Sequence, residues 1–260
     1  MRSALFPGYF PLADEGAGAR GEANTGSGSD SAMDRARSIL RRQIELSLAF
    51  TEVDDEIAVR RTERVLVCFA EAIREIQRLL ATDVIAARDG DPSTRSVHET
   101  ILCFPGVLAT LHHRIAHQLA RLEVPLLPRM IAELAHSATG IDLHPKARIG
   151  EAFFIDHGTG VVIGETCRIG DRVRVYQGVT LGARRFELDD HGRPIKGHPR
   201  HPIVENDVTL YAGATVLGRV TIGHDSIIGG NVWLTKGVPP FSRVNQAQLR
   251  HDRFDQGAGI

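Results

Sequence analysis

Two hydrophobic rhythms divide the chain. From residue 33 to about 138, apolar positions recur at i, i+3, i+4 and i+7: Ile39, Leu40, Ile44 and Leu48 form one stripe, and Val65, Leu66, Phe69, Ile73, Ile76, Leu79 and Leu80 another. This period predicts amphipathic helices that pack through one face. Gly90-Asp91-Pro92 breaks the run and a further helix opens near Val97. Pro105-Gly106 then interrupts it before helical spacing resumes over 107–122, because proline removes an intrahelical donor. Residues 1 to about 30 hold the stretch GAGARGEANTGSGSD, which has little to bury and predicts a mobile tail.

After Gly140 the period becomes six. Aliphatic residues stand at Leu143, Ile149, Ile155, Ile163, Ile169, Val175 and Leu181, then after a gap at Val204, Leu210, Val216, Ile222, Ile228 and Leu234. Most are followed four residues later by a small or β-branched residue, among them Ala147, Thr159, Cys167, Val173, Val179, Ala214, Val220, Ser226 and Val232. Hexads in sustained register predict a parallel β-helix, in which each hexad forms one flat side and three close a triangular coil. Two interruptions stand out. Val161-Val162 adds two residues between the Ile155 and Ile163 hexads, and 183–203, containing RRFELDDHGRPIKGHPRHP, is too rich in proline to be a coil and must loop away. The expected organisation is α+β: a tail at 1–30, helices at 31–139, a β-helix at 140–240 with its loop at 183–203, and a second tail at 241–260.

Composition narrows the partners. With 31 basic and 32 acidic residues the net charge is −1, so no global field favours nucleic acid or an anionic membrane. Cys68, Cys103 and Cys167 are odd in number and mostly set in apolar runs, and are read as core thiols in a reducing compartment. No apolar stretch approaches the ~20 residues of a membrane span and no leader opens the chain, so a cytoplasmic location is expected.

Candidate chemistry gathers at the interruptions. His157 lies between Asp156 and Gly158-Thr159-Gly160, a run that lets backbone approach a ligand. An imidazole suits general-base work near neutral pH and needs a carboxylate to fix its tautomer. Asp142, fifteen residues earlier and near one 18-residue coil, is the candidate partner; Asp156, adjacent in extended backbone, should point elsewhere. A surface histidine remains the alternative. Arg200-His201 closes the long loop and could grip a carboxylate, against the alternative of a solvated basic loop with Arg184, Arg185, Arg193 and Lys196. Asp91 reads as a turn residue or helix cap. Lys236, Arg219 and Arg243 could meet cofactor phosphates. His112, His113 and His117 lack an acidic residue at ligand spacing and are read as helix surface or subunit contact, so no metal is expected.

The motifs GDP at 90–92, GIDLHP at 140–145, IDHGTGVVIGET at 155–166, YQGVTLG at 176–182 and RHP at 200–202 resemble the serine O-acetyltransferase family. The resemblance implies a left-handed β-helix whose trimer places each active site between neighbouring subunits. It implies acetyl transfer to the L-serine hydroxyl, the first step of cysteine biosynthesis, with acetyl-CoA as a co-substrate and no tightly bound cofactor. His157 would be the general base and Asp142 its orienting carboxylate. Asp91 and Asp156 would hold the serine ammonium group, Arg200 and His201 its carboxylate, and Glu165 would be a further site acid. Gly182, Ala212, Gly213 and Gly230 would lie against the pantetheine arm and Lys236 near the phosphates. No Ser or Cys nucleophile stands beside His157, so the serine oxygen would attack the thioester directly. Further implications are a homotrimer or a dimer of trimers, feedback inhibition by L-cysteine, and a complex with O-acetylserine sulfhydrylase through Ile260. Three alternatives share the scaffold: an acetyltransferase for another acceptor, a zinc hydrolyase using His157, His201 and His224, and a non-catalytic β-helix.

Overall fold

The computed structural model describes Leu5 and residues 27–51, 54–186 and 188–246. Helices come first: α1 (Ser27–Leu48), α2 (Asp55–Gly90), α3 (Val97–Cys103), α4 (Pro105–Arg121) and α5 (Leu127–Thr139). α1 therefore begins inside the stretch expected as a tail. Asp54 caps α2, its carboxylate accepting from the backbone N–H groups of Glu56 and Ile57. Leu40, Ile44, Leu48, Val65, Leu66, Phe69, Ile76 and Leu80 share one core with Leu111, Ile115 and Leu119 of α4. Ile39 is 56% exposed, since it sits on the shoulder of the face made by its i, i+4 neighbours. The helical run breaks at Phe104, as expected, and Pro105 starts α4, in the first turn where its missing N–H has no partner to lose. A Cβ on Gly106 would lie 2.2 Å from the carbonyl oxygen of Ile155, so this glycine lets α4 rest directly on the following domain.

From Asp142 the chain winds a left-handed parallel β-helix with three faces. Face A stacks Asp142–Leu143, Val162–Ile163, Thr180–Gly182, Thr215–Leu217 and Trp233–Leu234; face B stacks Arg148–Ile149, Arg168–Ile169, Ile203–Val204 and Thr221–Ile222. Face C stacks Phe154–Ile155, Arg174–Val175, Thr209–Leu210, Ile227–Ile228 and Arg243–Val244, the last beyond the expected end at 240. Every inward aliphatic of the hexad pattern lies in or against one core. Residues 183–202 leave the prism between faces A and B, while Arg168 pairs directly with Ile203 across the gap.

The first interruption lies elsewhere than expected. Asp156 donates to Val175 O, which aligns it with Tyr176, and Gly178 donates to Thr159 O, which aligns Thr159 with Gln177. The two extra residues are therefore His157 and Gly158, both in left-handed conformation at φ 55° and 85°. Val161 fills the inward place assigned to Thr159, and Thr159 is exposed.

Helices and prism are joined by a buried ion pair. Arg114 of α4 donates to both oxygens of Asp83 of α2 at 3.0 and 3.1 Å, and also to the carbonyls of Ile149 and Gly150. Asp83 in turn accepts from Phe153 N at 2.9 Å. Beside it His113 is buried, not on the helix surface, with its ring stacked on His117 at 5.6 Å, because the prism covers this face of α4. Cys167 is a core thiol, whereas Cys68 is half-buried and Cys103 exposed. Among the described residues no helix is long and apolar enough to cross a membrane.

Candidate active site

The sequence-derived site residues fall at two corners of the prism. His157 follows Phe154–Ile155 of face C and precedes Val162–Ile163 of face A. At this C-to-A corner the two-residue bulge carries the imidazole outward, 73% exposed, with Nε2 3.9 Å from Asp156 Oδ1. That separation is too long for a hydrogen bond. Asp142 opens the first coil on face A and His157 closes it, so the winding returns them to one corner. The coil here spans 20 residues, since Asp142 pairs with Val162; the residue fifteen on is thus not its stacking partner. No hydrogen bond or ion pair joins Asp142 to His157 among the described residues. Asp91 ends α2, its N–H donating to Ala87 O, and its carboxylate is held below the ordinary range by bonds from Ser93, with a smaller contribution from the charge of His157.

Glu165, Arg200 and His201 sit at the A-to-B corner, between Val162–Ile163 and face B. Arg200 Nη2 donates to Glu165 Oε2 at 2.8 Å, and Lys146 Nζ reaches the other oxygen at 3.4 Å. Burial alone would raise the Glu165 pKa, but these donors prevail and hold it down. Glu165 thereby aims the Arg200 guanidinium.

His201 is fixed by a residue that motif reasoning did not single out. Thr166 Oγ1 accepts from the backbone N–H groups of Arg200 and His201 at 2.9 and 3.1 Å, leaving its own proton for His201 Nδ1 at 2.8 Å. The Thr166 N–H also donates to Nδ1, at 3.1 Å. Two donors on Nδ1 require the tautomer with its proton on Nε2. Burial, and secondarily the charge of Arg200, depress the His201 pKa to about 4. The ring is therefore a neutral donor through Nε2–H at physiological pH. Gly164 makes room for it, since a Cβ there would lie 2.0 Å from His201 Cδ2.

The remaining positions are spread along the prism. Ala212, Gly213 and Gly230 lie on the C-to-A corner above His157, where Asn231 N donates to Ala212 O and Gly213 N to Gln177 O. Gly182 ends a face A strand, and Lys236 is exposed past the far edge of that face. Arg219 is engaged with backbone carbonyls, and Arg243 is exposed on face C. His157, His201 and His224 occupy three different corners and do not converge within one chain. Among the described residues no group of three or more His, Cys, Asp or Glu could hold a metal ion.

A cleft of about 470 Å³ opens between the long loop and the A-to-B corner, lined by Arg184, Phe186, Ile195, His198, Arg200 and Arg219 among others. The loop is held as a small hairpin, with Leu188 bridged to Pro194 and Asp189 accepting from the N–H groups of His191 and Arg193.

Comparison with known proteins agrees with this architecture. The bacterial transferase hexapeptide (six repeats) family matches residues 201–236. The whole chain is 48% identical to "Serine acetyltransferase, plasmid" of Synechococcus elongatus, covering 82% of that protein. The fold is similar to serine acetyltransferase isoform 3 of Entamoeba histolytica in complex with cysteine, with a TM-score of 0.81 and 32% identity over 98% of this chain and 82% of that one. Soybean serine acetyltransferase complexed with serine gives a TM-score of 0.61 and 31% identity over 82% and 83% of the two chains. With 48% identity over an alignment that spans the whole chain, the chain belongs to the serine acetyltransferase family.

Proposed function

We propose that this chain performs its family's reaction, acetyl transfer from acetyl-CoA to the serine hydroxyl, at a site assembled from the two corners of adjacent subunits. The observation that carries this reading is the division itself. An exposed imidazole with carboxylates stands at one corner, and a guanidinium with a neutral N–H donor stands at another, separated by face A. A zwitterion that carries its hydroxyl on the carbon next to the charged centre needs both sets together, and the reading places them together in a cyclic trimer whose A-to-B corner on one subunit meets the C-to-A corner of the next.

In this reading Asp91 and Asp156 hold the serine ammonium group, and Arg200 and His201 Nε2–H hold the carboxylate. Glu165 acts by aiming Arg200. Neutral His157 accepts the hydroxyl proton as the serine oxygen attacks the thioester carbonyl, and Asp142 stabilises the imidazolium that forms. Collapse of the tetrahedral intermediate expels the CoA thiolate, which takes the proton back from His157. The pantetheine arm runs up the C-to-A corner past Ala212, Gly213 and Gly230, with Gly182 and Lys236 at the far side of the groove. Cysteine shares the ammonium and carboxylate of serine and competes for the same grip, as supported by the cysteine complex of the Entamoeba protein. Ile260, the proposed contact to O-acetylserine sulfhydrylase, lies outside the described residues.

The test follows thioester loss with serine and with a panel of other hydroxyl acceptors, using the wild type and His157→Ala. Serine-dependent turnover that the substitution abolishes supports the reading. Turnover confined to another acceptor, or undiminished in the variant, overturns it.

A further inference from the structure

One cation of the A-to-B corner, Arg219, is paired with no acid among the described residues. Arg219 follows Thr215–Leu217 of face A and precedes Thr221–Ile222 of face B, one coil above Arg200 and His201. Its Nη1 donates to Thr166 O at 2.7 Å and to His201 O at 2.9 Å. Neither carbonyl belongs to the ladder, whose nearby acceptors are Cys167 O and Pro202 O, and neither has another partner among the described residues. Arg219 is half-buried where two clefts meet, the one of about 470 Å³ beneath the loop and another of about 250 Å³ lined by Lys146, Arg148, Glu165 and Arg168.

One carbonyl belongs to Thr166, which locks the His201 ring, and the other to His201 itself. Thr166 supplies both donors to Nδ1, and the backbone at 200–201, where a long excursion rejoins the prism, is tied to the coil below through Thr166 Oγ1. A single guanidinium nitrogen bridging 166 and 201 closes that arrangement from above. A charged donor strengthens each bond relative to a neutral one, and its removal leaves the carbonyls of half-buried Thr166 and buried His201 without this partner next to the ring.

We infer that Arg219 is a positioning residue for the acyl acceptor, holding Thr166 and His201 in the register that presents Nε2–H to the serine carboxylate. The inference rests on the proposed role of His201. Arg219 does not touch the substrate; it acts through the backbone of Thr166, which sets the tautomer of the ring, and of His201, which carries it.

The experiment measures KM for serine and acetyl-CoA separately, kcat, and the inhibition constant for cysteine. The proteins are wild type, Arg219→Ala, Arg219→Lys, His201→Ala and the Arg219→Ala/His201→Ala double variant. Arg219→Ala is expected to raise the serine KM about tenfold and weaken cysteine in parallel, with acetyl-CoA KM and kcat each within about twofold to threefold. Arg219→Lys retains a multiple donor and should recover part of the loss; it also gives the answer if the alanine variant does not fold. In the double variant, loss of Arg219 should add little to loss of His201. A change confined to acetyl-CoA KM would make Arg219 a phosphate contact, and an equal change in all parameters would make it structural; either overturns the inference. An unchanged serine KM in His201→Ala would instead refute the proposed carboxylate grip. A normal Arg219→Ala beside a defective His201→Ala would refute this inference alone.

Discussion

Gly164→Ala is the smallest change that should disable the carboxylate side of the site. A Cβ at this position lies 2.0 Å from His201 Cδ2, 2.2 Å from Nε2 and 2.8 Å from Cγ. Ordinary carbon contacts are about 3.5–4.0 Å, so the imidazole must retreat by about 1.5 Å. The ring is not a flexible tip, because its Nδ1 is held at 2.8 and 3.1 Å by Thr166. The same displacement takes both bonds out of range and turns Nε2–H away from its target. A hydrogen bond to a charged group is worth about 1.5–3 kcal/mol, which corresponds to a rise of roughly tenfold to a hundredfold in serine KM. Steady-state kinetics on the folded variant, with acetyl-CoA KM as the internal control, reads the effect. A serine KM within twofold of wild type, in a protein that melts normally, would refute the account of how His201 is placed.

Three further outcomes follow from the packing. Arg114→Ala strands the buried Asp83 carboxylate, and loss of one partner of such a pair costs about 3–5 kcal/mol; a denaturation midpoint unchanged from wild type would contradict it. Burial depresses His144 and His201 to about 4 and His113 well below its usual value. Unfolded histidines protonate near pH 6.5. The unfolded state therefore binds more protons between those values, and stability should be lost as pH falls from about 6.5 toward 4; urea midpoints that stay flat over that range would be inconsistent. Finally, burial pushes the Cys167 thiol up to about 12 while Cys103 is exposed. A thiol reagent should label Cys103 in the native protein and reach Cys167 only on unfolding, as peptide mapping would show.

The prism was legible because its core demands one large aliphatic side chain per hexad, and those residues can be counted along the chain. The location of the extra two residues was not. Hexad counting sees only inward positions, and placing the insertion at Val161-Val162 or at His157-Gly158 leaves Ile155 and Ile163 equally spaced; only the ladder bonds at Val175 O and Thr159 O distinguish them. The break beside Pro105 is legible from the chemistry of proline, but that Pro105 and Gly106 belong to the following helix is not, because it depends on what packs against Gly106. His113 was assigned to the surface since helical spacing describes one buried face, while α4 has two, one toward the helices and one toward the prism. At the site, the residue types at 157, 200 and 201 carried their own chemistry. Thr166 and Arg219 did not, because they act through bonds to atoms 35 and 53 positions away in sequence.

In the proposed trimer, an imidazole and a guanidinium on separate corners make each subunit half of two sites, and that has a genetic consequence. A subunit with His157→Ala still presents Arg200 to one neighbour, and a subunit with Arg200→Ala still presents His157 to the other. Refolding the two inactive proteins together in equal amounts gives, in a ring of three, about one quarter of interfaces with both intact halves. Defective alleles of this protein should thus complement one another, which two lesions within a single-chain active site could never do.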